Sequence, residues 1–83
     1  MDRANGRLLI TPNPSKGEVE IATEAGKAGD RISITTLDGK PIAEVVSAGT
    51  STRLSMIGIK TGLYTVTYKC ADGLVLTQKL IRE

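Results

Sequence analysis

The last third of the chain alternates between apolar and polar residues with a period of two. Threonine and lysine separate four apolar residues, Tyr64, Val66, Tyr68 and Cys70. This alternation is typical of a β-strand with one buried face. Asp72-Gly73 follows, and it favours a turn because glycine accepts positive φ and aspartate can bond its own backbone. Residues 62–83 are therefore predicted to form one long β-hairpin.

Two loop lengths are compatible with this hairpin, and the hydrophobic pattern distinguishes them. A two-residue loop, 72–73, would place Tyr68 opposite the polar Thr77. A three-residue loop, 71–73, with Gly73 in a left-handed conformation, gives different pairs. Those pairs are Cys70 with Leu74, Tyr68 with Leu76 and Tyr64 with Leu80. We favour the three-residue loop because it collects the apolar side chains on one face.

Similar alternation earlier in the chain predicts five more short strands. These are 8–10, 18–23, 31–35, 42–46 and 52–56. The prolines and glycine of 12–17 predict a rigid corner after the first strand. A two-residue turn at Asp38-Gly39 would join the third and fourth strands. It would pair Ile34 with Ala43 and Ile32 with Val45.

About seven short strands, with turn signals at roughly 8 to 12 residue spacing, predict an all-β antiparallel sandwich. A small barrel would produce the same pattern, so it stays an alternative. Ile59 is expected to plug the core beneath the closing hairpin. The predicted buried residues are Ile32, Ile34, Leu54, Tyr64, Val66 and Leu76.

Length and charge limit the classes of function. Eighty-three residues correspond to one small domain, which is predicted to cover residues 8–83. Residues 1–7 are interpreted as a linker or a tag remnant, and the chain as a piece of a longer protein. The net charge is +2 without a basic stripe, which argues against a nucleic-acid partner. No apolar run approaches the roughly 18 to 20 residues of a membrane helix, and the first residues of this piece lack the apolar h-region expected of a signal peptide.

No catalytic, metal or cofactor site is predicted, and the chain is not expected to be an enzyme. It contains no histidine, the side chain that titrates near neutrality and the commonest metal ligand. The acidic residues are scattered singly, so no carboxylate pair can be identified. Cys70 is alone and is interpreted as a small core residue.

Four sequence features, in order along the chain, resemble a known family. They are Pro12-Asn13-Pro14-Ser15-Lys16-Gly17; Ile32-Ser33-Ile34 followed by Gly39; Leu54-Ser55-Met56 leading to Gly62-Leu63-Tyr64; and Lys79-Leu80-Ile81-Arg82. Together they resemble the C-terminal sorting domain of type IX secretion cargo, also called the Por secretion system C-terminal domain. Thr11, Thr35-Thr36 and Ser55 differ from the residues usual in that family.

The resemblance implies a small immunoglobulin-like β-sandwich that acts as a secretion and sorting signal. Its expected partners are the type IX outer-membrane translocon, a sortase-like peptidase and the N-terminal cargo domains of a larger protein in the Bacteroidetes group. Its expected route is through the periplasm to the outer-membrane surface or the medium. If the peptidase removes the domain, the cut is expected at or before 1–7.

Recognition by the translocon is predicted on Lys79, Leu80, Ile81, Arg82 and Glu83, through strand addition or capture of a carboxylate. The motif turns and core are predicted to maintain the fold. They are Pro12, Asn13, Pro14, Gly17, Gly39, Gly62 and Tyr64. One alternative function is an adhesion or glycan-binding module. It is disfavoured because sugar recognition generally uses exposed aromatic side chains, and both tyrosines are assigned to the packed face. Another alternative is a module that forms a weak homodimer through exposed strand edges.

Overall fold

A computed structural model describes residues 7–12 and 17–83, and these residues form seven β-strands. The strands are β1 (Leu9–Thr11), β2 (Glu18–Ala22), β3 (Arg31–Thr36), β4 (Pro41–Val46), β5 (Ser51–Ser55), β6 (Gly62–Lys69) and β7 (Val75–Arg82). The Thr11–Pro12 peptide bond is cis. Within the described ranges, no helix is long and apolar enough to span a membrane.

The strands form two antiparallel sheets, which confirms the predicted sandwich. One sheet has the order β1-β2-β5 and the other has the order β4-β3-β6-β7. No strand ladder joins the sheets in the described part of the chain, so the barrel alternative is wrong. The fourth strand pairs with the third, whereas constant-type immunoglobulin domains place their fourth strand beside the fifth.

The closing hairpin, β6–β7, has the predicted three-residue loop. Tyr68 lies opposite Leu76, and Tyr64 lies opposite Leu80. The Cys70 N–H donates to the Leu74 carbonyl at 2.8 Å, and Gly73 has a φ of 98°. The apolar alternation therefore identified the correct register, because a slip of one residue would expose the whole apolar set.

The predicted two-residue turn between β3 and β4 is wrong, although its cross-strand pairs are correct. The Thr36 N–H donates to the Lys40 carbonyl at 2.9 Å, so the loop is the three residues 37–39. The longer loop would shift the register by one. A bulge at Ile42 restores it, since Thr35 pairs with Pro41 but Ile34 pairs with Ala43.

An aliphatic core fills the space between the sheets. Of the six residues predicted to be buried, five are, and Leu76 is partly buried at the margin of the core. Cys70 is buried as predicted, and Ile59 packs partly buried against the core. Leu8 is also buried, even though it precedes β1.

Candidate recognition site

The motifs recognised in the sequence lie at one end of the sandwich. β2 begins where β5 ends, with Glu18 opposite Ser55, and β6 begins where β7 ends, with Gly62 opposite Arg82. The end of β1, the start of β2, the β3–β4 turn that contains Gly39 and the β5–β6 link therefore share this end. We call it the motif end. Pro12 and Gly17 flank the corner, while Asn13 and Pro14 lie outside the described residues.

Hydrogen bonds to backbone carbonyls hold the β5–β6 link in place. The Tyr64 hydroxyl donates to the Lys60 carbonyl, four positions upstream, at 2.6 Å. This is the tyrosine corner of immunoglobulin-like folds. The Met56 N–H donates to the Gly17 carbonyl at 2.7 Å, which attaches the link to the corner between β1 and β2. The buried Tyr64 ring thus carries a hydroxyl that is bonded to the link.

The predicted recognition residues, 79–83, divide into one core residue and a set of surface residues. We call them the recognition segment. The Leu80 side chain is fully buried opposite Tyr64. Lys79 and Ile81 are exposed on the outer face of the four-stranded sheet. The Arg82 Nε donates to the Ile59 carbonyl at 3.2 Å, so this arginine also braces the β5–β6 link.

Exposed apolar side chains surround the recognition segment. Ile81 lies opposite Leu63 on the outer face, and both side chains are more than one third exposed. Ile57, at the tip of the β5–β6 link, is 82% exposed. The site therefore combines exposed apolar side chains with Lys79, which is also exposed. Asp38 lies in the β3–β4 turn at the same end of the sandwich. Hydrogen bonds from the Thr36 hydroxyl and from backbone N–H groups hold the pKa of the Asp38 carboxyl below its usual value.

The opposite end of the sandwich contains a buried carboxylate that the sequence analysis missed. We call this the network end. Asp30 is 3% exposed, and its carboxylate accepts from the Tyr68 hydroxyl at 2.9 Å, the Lys27 N–H at 2.9 Å and the Ala71 N–H at 3.1 Å. Asp30 thereby joins the β2–β3 loop to the β6–β7 loop. A buried carboxylate needs such donors, since burial without them is costly.

The network extends into the β4–β5 loop. The Ser47 N–H donates to the Asp30 carbonyl at 2.7 Å, and the Ser47 Oγ lies 2.8 Å from the Tyr68 hydroxyl. Thr52 is buried, and its hydroxyl accepts from the Ala48 N–H at 2.9 Å. Burial raises the pKa of Tyr68, and its contact with Asp30 adds to the effect. All three loops at this end are consequently joined through side chains.

A close backbone contact completes the network end. A Cβ added at Gly26 would lie 2.3 Å from the Gly49 carbonyl oxygen, so the β2–β3 and β4–β5 loops touch there. Two signals in the sequence could have indicated the network. The Tyr68 hydroxyl needs a partner when the ring is buried, and Thr52 occupies an inward position of β5. Within the described ranges, no group of His, Cys, Asp and Glu could hold a metal ion.

The fold and the site together define an immunoglobulin-like β-sandwich that carries its sequence motifs at one end. The family model described as "Secretion system C-terminal sorting domain" matches residues 9–83. The chain belongs to this family, which is a family of sorting signals of type IX secretion and not an enzyme family. Membership implies association with the type IX machinery and export to the cell surface or the medium.

A solved structure is similar to the chain over most of its length. It is that of PorZ from Porphyromonas gingivalis, described as an essential bacterial surface component of the type-IX secretion system. The identity is 20% and the TM-score is 0.78, with 92% of this chain and 11% of that chain covered. The chain thus corresponds to a small part of PorZ, and the likeness supports the fold alone. No curated protein matches the chain.

Proposed function

We propose that the translocon of the type IX system reads the outer surface of the recognition segment at the motif end. The observation that carries this proposal is the convergence of motifs that are separate in the sequence. The β3–β4 turn, the β5–β6 link and the end of β7 lie together, although they are up to 45 positions apart between Asp38 and Glu83. A signal shared by a family needs one contiguous surface, and the motif end provides it.

The contact is made by side chains that alternate outward from β7. Lys79 and Ile81 point to the outer face, and Leu63 extends the apolar part of this surface from β6. Leu80 points inward and maintains the strand position. A central apolar contact with a charged rim is the arrangement in which a few residues supply most of the binding free energy. The complementary surface on the translocon is therefore apolar with acidic groups at its edge.

The domain extends from residue 8 to residue 83 and directs N-terminal cargo domains through the periplasm to the surface. Leu8 is buried and Arg7 is exposed, which supports a boundary between them. A sortase-like peptidase cuts at or before residues 1–7, of which 1–6 lie outside the described residues. A cut there leaves both sheets intact. The domain performs no catalysis and acts as a ligand for the secretion machinery.

A reporter fusion tests the proposal. A secreted reporter is placed ahead of the domain and expressed in a cell that has the type IX system, with surface display measured by protease accessibility. Lys79→Ala is compared with Lys69→Ala, because both lysines are exposed on the outer face of the same sheet. Lys79 lies nearer the motif end and Lys69 lies at the network end. Both variants remove one positive charge from the same face, so a difference in display between them reflects the position of the lysine and not the loss of charge.

We expect the unchanged domain and Lys69→Ala to be displayed and Lys79→Ala to be retained in the periplasm with an intact fold. Thermal melting of each purified domain provides the control for folding. Equal display of Lys79→Ala and Lys69→Ala would contradict the placement of the recognition surface. Retention of the unchanged domain in the periplasm would contradict the sorting function in that cell.

A further inference from the structure

The two sheets have unequal numbers of strands, and this leaves one side of the core open. β1 lies beside β7, since the Gln78 amide donates to the Leu8 carbonyl at 3.3 Å. Counting from that side, β1, β2 and β5 face three strands of the other sheet, and β4 has no described strand opposite it. The inward-facing Ala43 and Val45 of β4 are accordingly only partly buried. A fourth strand beside β5 would cover them.

β5 presents a regular strand edge at this position. It pairs with β2 alone among residues 7–12 and 17–83. At one end of that ladder the Thr23 N–H donates to the Thr50 carbonyl, and at the other the Met56 N–H donates to the Gly17 carbonyl. Even-numbered residues therefore bond to β2. The backbone groups directed away from β2 belong to Ser51, Arg53 and Ser55.

The other edge strands carry features that obstruct pairing, and β5 does not. β4 contains Pro41 and a bulge at Ile42. β1 has only three residues and is followed directly by Pro12, and β7 is flanked by β1. Proline, bulges and short length are the usual means by which sheet edges avoid new partners. The five residues of β5 include no proline, glycine or bulge.

We propose that β5 accepts an extended strand from a partner protein, in which apolar residues alternate with acidic ones. The apolar side chains of this strand cover Leu54 of β5 together with Ala43 and Val45 of β4. An acidic side chain lies opposite Arg53 on the outer face, where it continues the alternation of charge from Glu20 of β2. Backbone hydrogen bonds supply affinity and the alternate side chains supply specificity, as in other strand-addition complexes.

The charge at the centre of β5 argues against a second copy of the chain as the occupant. Two β5 strands related by a two-fold axis overlap completely only when Arg53 lies opposite Arg53. Like charges directly opposite each other destabilise a strand pair. The existing partner of Arg53 is Glu18, at 3.8 Å, and both side chains of that pair are mostly exposed. Such an exposed pair contributes little free energy, so Arg53 is able to pair with an acidic partner.

Amide hydrogen exchange measured by NMR tests this inference on the intact domain. The probes are two seven-residue peptides, one alternating valine with glutamate and one alternating valine with lysine. At saturation with the glutamate peptide, the N–H groups of Ser51, Arg53 and Ser55 are expected to exchange at least about tenfold more slowly. The lysine peptide is expected to bind about two- to fivefold more weakly, the range of a cross-strand charge pair. Arg53→Glu should reverse that order.

Two variants at the same position provide the matched control. Arg53→Pro removes an N–H that the β2 ladder does not use, so the fold is retained while the edge is blocked. Arg53→Ala retains the N–H and should still bind, without distinguishing the peptides. Melting verifies both folds. If Arg53→Pro unfolds, the reversed peptide preference expected of Arg53→Glu tests the edge instead, and an unchanged preference would overturn the proposal. Absence of protection with both peptides, protection of a different strand edge, or protection that rises with protein concentration alone would overturn the proposal.

Discussion

The two ends of the sandwich are formed by the same strands but hold their loops by different interactions. At the motif end, Tyr64 and Arg82 bond to carbonyls of one short link, and the apolar Ile57 and Ile81 side chains are exposed. At the network end, the carboxylate of Asp30 is buried and joins separate loops. Stability thus depends more on the network end, which leaves the motif end able to present a surface.

Replacement of Asp30 by alanine should have the largest effect. It leaves the Tyr68 hydroxyl and the N–H groups of Lys27 and Ala71 without their buried acceptor. Each lost bond to a charged group contributes about 1.5 to 3 kcal/mol, so a total loss of at least about 3 kcal/mol is expected. Urea unfolding monitored by circular dichroism measures it. A loss below about 1 kcal/mol would show that the network does not stabilise this end.

Gly26→Ala should be the next most harmful change. The new Cβ would approach the Gly49 carbonyl, a backbone group that cannot rotate away. We expect a loss of about 1 to 3 kcal/mol, as for other overpacked sites. Gly17→Ala is the matched control at the motif end, since nothing lies within 4 Å of its added Cβ. Equal melting temperatures for the two variants would argue against the loop contact.

The two tyrosines allow a direct comparison of the ends. Tyr68→Phe is expected to cost about 1.5 kcal/mol because its hydroxyl contacts the buried Asp30 and Ser47. Tyr64→Phe should cost about 0.5 to 1 kcal/mol because it loses one bond to the Lys60 carbonyl. Denaturant unfolding of both variants at neutral pH measures the difference. The reverse order would contradict the stabilising role assigned to the network end.

Alkaline pH should sharpen the same comparison. The pKa of Tyr68 is raised above its ordinary value of 10.0, mainly by burial. The folded state therefore favours the neutral phenol. Its stabilisation is complete below pH 10 and is lost as the pH rises through the folded pKa. As the pH rises from 10 to the folded pKa of Tyr68, the unfolding free energy of the unchanged domain should fall faster than that of Tyr68→Phe. If the unfolding free energies of the two proteins change in parallel with pH, this expectation is contradicted.

The smallest effect on stability is expected for Ile81→Ser. The side chain is exposed at the motif end, so the change should alter unfolding free energy by no more than about 0.5 kcal/mol. If Ile81 belongs to the recognition surface, the same change should reduce display of the reporter. Leu80 lies one position earlier and is fully buried, so Leu80→Ala should mainly destabilise. A large loss of stability in Ile81→Ser would show that recognition and folding are not separated in this segment.

Strand register could be predicted from the sequence, but loop length could not be predicted everywhere. The alternation around Tyr68 allows only one register that buries the whole apolar set. The same logic predicted the pair of Ile34 with Ala43, yet the turn was predicted one residue too short. A bulge at Ile42 cancels the extra loop residue. Apolar periodicity predicts which side chains pair across two strands, but it does not predict how many residues lie in the loop or in a bulge.

The location of the motif end could be anticipated in part, whereas the burial of Asp30 at the network end could not. Turn residues and the family resemblance had singled out the corner, the turn and residues 79–83 as motifs in the sequence. Asp30 lies in a polar loop, where an acidic residue is usually exposed. Its partners, Tyr68 and Ala71, are 38 and 41 positions away, so nothing in its local sequence indicates burial. Only the packing of three loops brings these groups together.

The strand order also has a consequence for the time that the chain takes to fold. Three strand pairs, β1–β2, β3–β4 and β6–β7, join neighbours in sequence, but β2–β5 and β3–β6 close long loops. The contact of Gln78 with Leu8 spans 70 positions. Because long-range pairs require loop-closure entropy before they gain any contact, such topologies fold in milliseconds to seconds. The four-stranded sheet cannot be completed until β7 is available, so in a newly made chain this sheet stays incomplete until β7 has been synthesised.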